Sequence, residues 1–421
     1  MRTLLFTFAL LAASAQAEDG WEDWESGGEW EPEADAAVPL YGFVELAAGQ
    51  RLSHSPYHDG STLGEARLRL ETEHSVKSLN LSAKGDLWYD TVLEKWKTDT
   101  RELTVQKTLS KMDIKLGRQV VTWGTGDYLF LNDLFAKDWQ SFFIGRDDEY
   151  LKGASDSLRL TGYFELLNLD LVWTPSFTPD RYPTGERLSL FEPGRGHVIG
   201  EDNPIATRTP EDDEWALRLY RNLGSTEFAL YGYDGYHKSP NASNAQGRAT
   251  FTELTVLGAS VRRPIGEGLV NAEIAHHDST EDEQGHNPRI SNSQWRVLVG
   301  YERELATRLT AGFQGYLEQT QDYEALLAHS PAPEREAEEN RTLLTTRLTW
   351  RDARDRLTLS LFAFYSPSDE DGYLRPKVDY RFNDNLSLTA GANLFRGSEP
   401  HSFFGQFEDN SNAYARLRYA F

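Results

Sequence analysis

Apolar and polar residues alternate strictly at the end of the chain, in the segment NAYARLRYAF. The apolar residues share one parity: Ala413, Ala415, Leu417, Tyr419 and Phe421. Arg416 and Arg418 lie on the other parity, so a strand here would have one apolar face and one basic face. Soluble antiparallel sheets and membrane barrels both use this pattern. The segment therefore predicts a strand but does not distinguish between these two classes.

The same alternation recurs along the rest of the chain, for example in TLGEARLRLETE, SLNLSAKGDLWY and LLTTRLTWR. It predicts eighteen strands, near 40–52, 62–73, 78–90, 101–109, 112–121, 155–165, 168–175, 214–222, 226–236, 251–262, 269–277, 293–303, 307–319, 342–351, 356–366, 372–382, 386–396 and 411–421. Near 251–262 the pattern leaves open which face is the apolar one.

The connections between these strands alternate between short and long. HSVK, NLGS and FNDN are turns of a few residues, whereas long polar loops cover 122–154, 175–213, 278–292 and 319–341. Outer-membrane barrels have short periplasmic turns and longer outer loops. A secreted β-sandwich or β-solenoid would explain the alternation within strands, but not this asymmetry. The pattern therefore predicts an all-β fold, a transmembrane antiparallel β-barrel of about eighteen strands.

Aromatic residues on the apolar parity gather at both ends of the predicted strands. At the loop ends lie Tyr89, Trp173, Trp215, Trp295 and Tyr365, and at the turn ends lie Phe164, Tyr301, Trp350, Phe382 and Phe421. Two such belts are typical of the two interfaces of a bilayer. Phe421 is then predicted to lie in the periplasmic belt, with Arg416 and Arg418 facing the lumen.

The first 17 residues have the features of a secretory signal peptide. Arg2 precedes an apolar run from Leu4 to Ala13, and Ala15-Gln16-Ala17 forms a small-x-small cleavage site. The chain has no cysteine, which excludes disulfides and thiolate metal sites, and its net charge of −23 argues against nucleic acid as a partner. We therefore expect export to the outer membrane of a Gram-negative bacterium. Contacts with outer-membrane lipids, lipopolysaccharide and the barrel assembly machinery would follow.

Residues 18–38 form an acidic tail before the predicted barrel, which covers 39–421. Segment 18–37 contains nine carboxylates and no basic residue, with Trp21, Trp24 and Trp30 interspersed. This composition indicates disorder. A plug for a basic lumen and a tether to a periplasmic partner are the alternative roles.

Two stretches resemble known barrel families. The C-terminal strand that ends in phenylalanine is similar to the assembly signal of bacterial outer-membrane barrels. The stretches LGRQVVTWGTGDYLFLNDLF (116–135) and FFGQFEDNSNAYARLRYAF (403–421) resemble porin-like families related to the alginate-export barrels, which have eighteen strands. The matching motif residues are Gly117, Arg118, Gln119, Trp123 and Gly124. Some relatives work with inner-membrane exporters of lipid or polysaccharide, so the resemblance implies an export partner as one possibility.

The lumen-facing parity of the strands near 62–73, 342–351, 372–382 and 411–421 is rich in basic residues. They are Arg67, Arg69, Arg347, Arg351, Arg375, Lys377, Arg381, Arg416 and Arg418, against Glu65, Glu71, Glu73 and Asp379 on the same parity. Because closure brings the last strand beside the first, one sector of the wall is predicted to be basic. Salt bridges that hold the shape of the barrel are the alternative role of these residues.

The long connection 122–154 is too apolar for an ordinary outer loop, with Tyr128, Leu129, Phe130, Leu131, Phe135, Phe142 and Phe143. Its charged residues are Asp127, Asp133, Asp138, Asp147, Asp148 and Glu149, with Lys137, Arg146 and Lys152. We expect this segment, the constriction loop, to fold into the lumen. There it would face the basic wall across the channel and produce a transverse field. A lid or a subunit contact is the alternative.

Catalytic and metal-binding patterns are weak. HHDSTEDEQGH gathers His276, His277 and His286 with four carboxylates, but it spans a predicted strand end and an outer loop rather than a helix. We therefore predict no metal site, cofactor or catalytic residue. The predicted function is an outer-membrane channel for a hydrophilic, anionic or zwitterionic solute. An export conduit that partners an inner-membrane transporter is the first alternative, and a barrel protease or phospholipase is the second.

Overall fold

The computed structural model describes residues 39–243 and 248–421. Its main element is one sheet of 18 antiparallel strands. In chain order these are β1 Tyr41–Arg51, β2 Ser61–Val76, β3 Leu79–Asp90, β4 Lys95–Leu109, β5 Met112–Gln119, β6 Ser155–Tyr163, β7 Asn168–Thr174, β8 Glu214–Leu223, β9 Thr226–Tyr236, β10 Glu253–Ile265, β11 Gly268–Asp278, β12 Gln294–Ala306, β13 Leu309–Thr320, β14 Asn340–Arg351, β15 Leu357–Ser366, β16 Asp371–Arg381, β17 Leu386–Gly397 and β18 Asn412–Ala420. The signal peptide and the acidic tail lie outside the described residues.

The sheet closes into a barrel because its first strand pairs with its last. The β1–β18 register runs from Phe43 opposite Ala420 to Arg51 opposite Asn412. Each other strand pairs with its neighbours in the chain. The prediction of a closed eighteen-stranded barrel is confirmed.

Helices are short and lie in the long loops: α1 Trp139–Ile144, α2 Tyr323–His329, and the 3-10 helices Asp148–Leu151, Pro333–Arg335 and Gly405–Asn410. Among the described residues, no helix is both long enough and apolar enough to cross a membrane. Short strands also pair within the loops, at Leu190–Glu192 with His197–Ile199, and at Thr207–Arg208 and Ala242–Ser243 with Ala249–Thr250.

The outer face of the barrel is apolar in the way that a bilayer requires. Leu257 is 67% exposed and Leu230 60% exposed, with no protein covering them. Trp215, Trp295 and Tyr365 are exposed at the loop ends of their strands, whereas Phe164, Phe382 and Phe421 are exposed at the turn ends. Exposed apolar side chains between two aromatic belts form the lipid-facing surface of outer-membrane barrels.

Most predicted strand ends differ from the structure by a few residues, and in two strands the difference has a physical cause. β4 begins at Lys95 rather than at 101, because its first residues extend the wall with mostly polar outward positions. In β10, which covers 253–265 rather than 251–262, Leu257 faces outward while Val256 and Leu254 face inward and are buried. Both parities of β10 are apolar because the constriction loop covers its inner face. The ambiguous pattern therefore has a physical cause.

Candidate functional site

The motif residues lie where the chain leaves the wall to form the constriction loop. Gly117 has φ +121°, and a Cβ there would run into the carbonyl oxygen of Leu103, so this bend needs glycine. Gln119 is buried and donates to the Ser157 carbonyl at 3.2 Å, whereas Arg118 pairs with Asp156 at 3.4 Å. The motif therefore ends the strand and fixes the direction of the loop.

Trp123 and Gly124 begin the inward path. The Trp123 Nε1–H donates to the Asp170 carboxylate at 3.1 Å, and the indole packs against Phe135. Gly124 has φ +79°, and a Cβ on it would come within 3.3 Å of the Glu273 carboxylate. The close approach of the backbone to Glu273 allows the next contacts.

Glu273 on β11 holds the first part of the loop. One carboxylate oxygen accepts hydrogen bonds from the Thr125 N–H, from the Thr125 hydroxyl at 2.8 Å and from the Gly126 N–H at 2.9 Å. The other oxygen accepts from the Asn132 amide at 2.7 Å. Glu273 is almost completely buried, and all these donors are uncharged. We call this group of Glu273, Thr125, Gly126 and Asn132 the Glu273 clamp.

Three charged residues of the loop have structural partners. Asp127 pairs with Arg347 at 3.0 Å, and burial raises its pKa. Asp133 lies between Lys137 and Lys152, at 2.8 and 2.7 Å, and these two cations lower its pKa although burial opposes the shift. Asp138 caps α1, because its side chain accepts from the Ser141 N–H.

Helix α1 packs its aromatic side chains against the inner wall. Phe143 contacts Phe395, Phe407 and Tyr373 with ring centroids 4.9 to 5.7 Å apart. Phe142 lies under the Arg375 guanidinium at 3.7 Å. The apolar side chains of the loop are therefore buried against the inner wall instead of being exposed to water. The loop lies inside the barrel.

The acidic tip of the loop contacts the basic wall directly. Asp147 pairs with Arg416 at 2.9 Å and with Arg418 at 3.3 Å. Asp148 pairs with Arg375 at 2.9 Å and with Lys377 at 3.0 Å. The Arg375 and Lys377 cations hold the pKa of Asp148 below its usual range although burial opposes the shift. We call these six residues the acidic-tip contacts.

Two more pairs continue this contact. Glu149 pairs with Arg69 at 2.9 Å, and Arg146 pairs with Glu65. The expectation that the acidic loop faces the basic wall across an open channel is therefore wrong for this tip. Opposite charges on a loop that folds inward gain most at contact distance, so the loop lies against the wall.

Arg67 and Arg69 face the lumen but do not border open space. Arg69 is 1% exposed and lies between Asp86 at 2.7 Å and the loop, while Arg67 pairs with Glu65 at 2.7 Å and stacks on Trp88. Their predicted role in lining an open pore is wrong, because the constriction loop covers them. They hold the loop to the wall.

Below the tip, at the turn end of the barrel, lies a cavity of about 490 Å³, the vestibule. Its charged lining residues are the cations Arg347, Arg351, Arg356, Arg375, Lys377, Arg381, Arg416 and Arg418, and the carboxylates Glu45, Asp147, Asp148, Asp355 and Asp379. Eight cations against five carboxylates leave the lining positive. All the predicted basic residues except Arg67 and Arg69 border this cavity.

Three of these cations carry no ion pair within residues 39–243 and 248–421: Arg351, Arg356 and Arg381. Arg351 and Arg381 end their strands, and Arg356 lies in the turn between β14 and β15. Sequence analysis did not include Arg356, although the turn sequence RDARDR showed a basic cluster there. It also missed Glu45, which lies between Arg416 and Arg418.

The histidine- and carboxylate-rich segment does not form a metal centre in the described part of the chain, where no three such side chains converge. His277 instead contacts the Leu131 carbonyl at 3.0 Å, which adds another anchor for the constriction loop. His286 contacts His329 with ring centroids 4.9 Å apart.

Comparison with known proteins shows the fold. No family model matches the sequence, and no curated protein matches it significantly. Among solved structures, OccAB3 of Acinetobacter baumannii is 10% identical, with a TM-score of 0.55, covering 91% of this chain and 98% of that chain. OccD3 (OpdP) of Pseudomonas aeruginosa is 11% identical, with a TM-score of 0.54, covering 91% of each chain.

OccK11 (OpdR) of Pseudomonas aeruginosa is 12% identical, with a TM-score of 0.53, covering 90% of this chain and 95% of that chain. Identities this low establish a common fold only. The chain therefore has the closed eighteen-stranded β-barrel fold of these outer-membrane proteins. Its apolar outer band and aromatic belts place it in the outer membrane of a Gram-negative bacterium.

Proposed function

We propose that this protein is a porin-like channel for small hydrophilic solutes, with a preference for anionic or zwitterionic ones. The observation that carries the proposal is the positive vestibule inside a closed barrel, with Arg351, Arg356 and Arg381 free of ion pairs. Barrels of 16–18 strands enclose an aqueous lumen unless protein fills it. The constriction loop narrows this lumen and leaves the vestibule as its positive part.

The unpaired arginines determine the expected selectivity. Cations that already contact a carboxylate, such as Arg416 and Arg375, present little net charge to a passing ion. Arg351, Arg356 and Arg381 keep their full charge and lie at the turn end, where the field acts on an approaching solute. An anion is therefore concentrated in the vestibule and a cation is excluded from it.

Planar-bilayer recording of the refolded protein tests this function. We expect stable ohmic current steps, and a reversal potential in a KCl gradient that has the sign of chloride preference. A silent protein, or one with cation preference, would contradict the proposal. Recording with and without residues 18–37 also tests whether the acidic tail acts as a plug, since its removal should then raise the conductance.

An export conduit is the second candidate, because the vestibule lies at the turn end of the barrel and would receive a solute from the periplasm. The resemblance of segment 116–135 to alginate-export families agrees with this direction. A periplasmic or inner-membrane partner would then be required, and the purified barrel would stay silent until that partner is added. In either case, we propose lipopolysaccharide and the barrel assembly machinery as the contacts of this protein in the membrane.

A further inference from the structure

Two pairs of wall cations lie on strands β16 and β18 at the top of the vestibule, and each pair holds one carboxylate of the loop. Arg375 and Lys377 on β16 hold Asp148, whereas Arg416 and Arg418 on β18 hold Asp147. Adjacent residues of the loop therefore present two carboxylates to two separate sites on the wall.

One cation of each pair is accessible from the vestibule. The side chains of Lys377 and Arg418 are 25% and 23% exposed, and those of Asp148 and Asp147 are 33% and 32% exposed. All four residues line the same cavity. A solute in the vestibule can therefore reach the aspartate and one cation of each pair, whereas the side chains of Arg375 and Arg416 are only 7% and 3% exposed.

The spacing of the pairs suits a molecule with two anionic groups. Only β17 separates β16 from β18, so the two strands are about 10 Å apart across the sheet. The register also offsets the pairs along the strands, since Arg416 is in line with Asp379 and Arg418 with Arg381. The two sites still lie within reach of adjacent loop residues, because Asp148 contacts one pair and Asp147 the other. Between them lies Gly391, over which the Tyr414 hydroxyl comes within 2.6 Å of the place of a Cβ. The small Gly391 leaves the wall between the pairs open to the Tyr414 phenol, which also lines the cavity.

We infer that Arg375 and Lys377 together with Arg416 and Arg418 form a two-point binding site for a dicarboxylate, which Asp147 and Asp148 occupy when no ligand is bound. The inference rests on the proposed function only in that the solute reaches the vestibule. Each ligand carboxylate replaces one aspartate on its cation pair, while Glu45 stays between Arg416 and Arg418 and Asp379 stays 3.6 Å from Lys377. A molecule with a single carboxylate replaces only one of them and leaves the other aspartate in place.

The loop can give up these contacts without leaving the barrel. The Glu273 clamp and the packing of Phe142 and Phe143 hold it independently of Asp147 and Asp148. Displacement then needs only rotation of two aspartate side chains toward water. The aspartates thus lower the affinity for a dicarboxylate and permit its release.

Isothermal titration calorimetry on the refolded full barrel in detergent, at low salt and pH 7, tests this inference. The probes are glutarate, digalacturonate and, as the monoanion, butyrate. We expect Asp147→Asn with Asp148→Asn to tighten binding of glutarate or digalacturonate about tenfold or more, because two competing charges at contact distance are removed. Butyrate affinity should change much less.

A matched control removes two carboxylates that do not contact these four cations, by Asp384→Asn with Glu267→Gln in periplasmic turns. It should change the affinity less than about twofold, by screening over a longer distance. A second variant, Lys377→Gln with Arg418→Gln, should weaken dicarboxylate binding about tenfold. If the asparagine variant does not refold, this glutamine variant alone tests whether the four cations bind the dicarboxylate.

The inference is overturned if the asparagine variant binds both dicarboxylates like the control, or if the glutamine variant binds them like the parent. It is also overturned if butyrate gains as much affinity as the dicarboxylates. A preference between glutarate and digalacturonate identifies whether a small acid or an acidic sugar is the better ligand. Because calorimetry needs no conduction, dicarboxylate binding by a silent barrel refutes the channel alone, and ohmic steps without binding refute this site alone.

Discussion

The Glu273 clamp offers a sharp test of how the constriction loop is held. Glu273→Ala removes the acceptor of four hydrogen bonds, from the Thr125 N–H and hydroxyl, the Gly126 N–H and the Asn132 amide. Glu273→Gln keeps the shape and one carbonyl oxygen but removes the charge. The two variants therefore separate the hydrogen bonds from the charge.

The structure indicates that glutamine can be accommodated. Its carbonyl oxygen can keep the three bonds that Thr125 and Gly126 donate. Its NH₂ group would meet the Asn132 NH₂, but the Asn132 carbonyl oxygen is buried without a partner. Rotation of the Asn132 amide by a half turn places that oxygen toward the glutamine NH₂, and the fourth hydrogen bond forms again.

These contacts give the expected magnitudes. A buried donor that loses its acceptor lowers the free energy of unfolding by about 1–3 kcal/mol. The four donors lie close together, so their individual costs are not fully additive. We expect Glu273→Ala to lower the free energy of unfolding by about 3–6 kcal/mol. Glu273→Gln exchanges charge-assisted for neutral hydrogen bonds and should cost about 1–2 kcal/mol.

Urea titration of the refolded barrels, followed by tryptophan fluorescence and by the gel mobility of unheated samples, measures these costs. Single-channel recording of the same samples should show larger and noisier current steps for Glu273→Ala, because the first part of the loop is released. Equal losses of stability for the two variants would refute the reasoning. So would a loss below about 1 kcal/mol for Glu273→Ala.

Three further predictions use the same unfolding assay. Leu348→Arg on the lipid face of β14 should lower the free energy of unfolding by about 2–4 kcal/mol if its site is near the midplane. Ser360→Arg in the vestibule should lower it by less than about 1 kcal/mol, and similar losses for the two variants would contradict the assignment of the faces. The lowered pKa of Asp148 means that its stabilising contribution is present above its unfolded pKa of about 3.9 and is lost as the pH falls from about 5 toward its folded pKa. Asp148→Asn should therefore lose less stability than the parent between pH 5 and pH 2, and identical pH profiles would count against the ion pair. Gly117→Ala should cost about 1–3 kcal/mol more stability than Gly232→Ala. Gly117 has φ +121° and a Cβ there would meet the Leu103 carbonyl, whereas the nearest atom to a Cβ at Gly232 is 4.0 Å away. Equal costs would show that the bend tolerates a side chain.

The strands could be predicted from the sequence because lipid on one side and polar groups on the other impose a period of two. Prediction failed where this contrast is absent. The first residues of β4 extend the wall with mostly polar outward positions, so no apolar parity shows that the strand begins at Lys95. In β10 the inner Val256 is buried by the constriction loop, so both parities are apolar.

The site was predictable only in part. Parity showed that Arg375, Lys377, Arg416 and Arg418 face inward, and composition showed that segment 122–154 avoids water. Neither signal shows which carboxylate meets which cation, because that depends on the path of the loop. Glu273 sets this path, through contacts with residues more than 140 positions earlier in the chain.

A residue on the lumen face of a strand is not necessarily exposed to water. Thr345 has the parity of the lumen, which predicts tolerance of a large polar side chain. In the structure it is 3% exposed and accepts a hydrogen bond from the Gln314 amide at 2.8 Å. An inward-folding loop turns part of a channel lining into a packed interior, and sequence parity alone does not separate the two.

Selectivity of the channel after loss of the unpaired arginines tests the central claim most directly. The variant is Arg351→Gln with Arg356→Gln and Arg381→Gln. The control is Arg221→Gln with Arg263→Gln and Arg303→Gln, which removes three charges near other turns without touching a residue of the vestibule lining. In a KCl gradient at low salt, the account predicts that the reversal potential of the variant moves toward cation preference while that of the control stays near the parent. The difference should shrink at 1 M salt, where the screening length falls from about 10 Å at 0.1 M to about 3 Å. A variant with the reversal potential of the parent would contradict the claim that the vestibule selects anions.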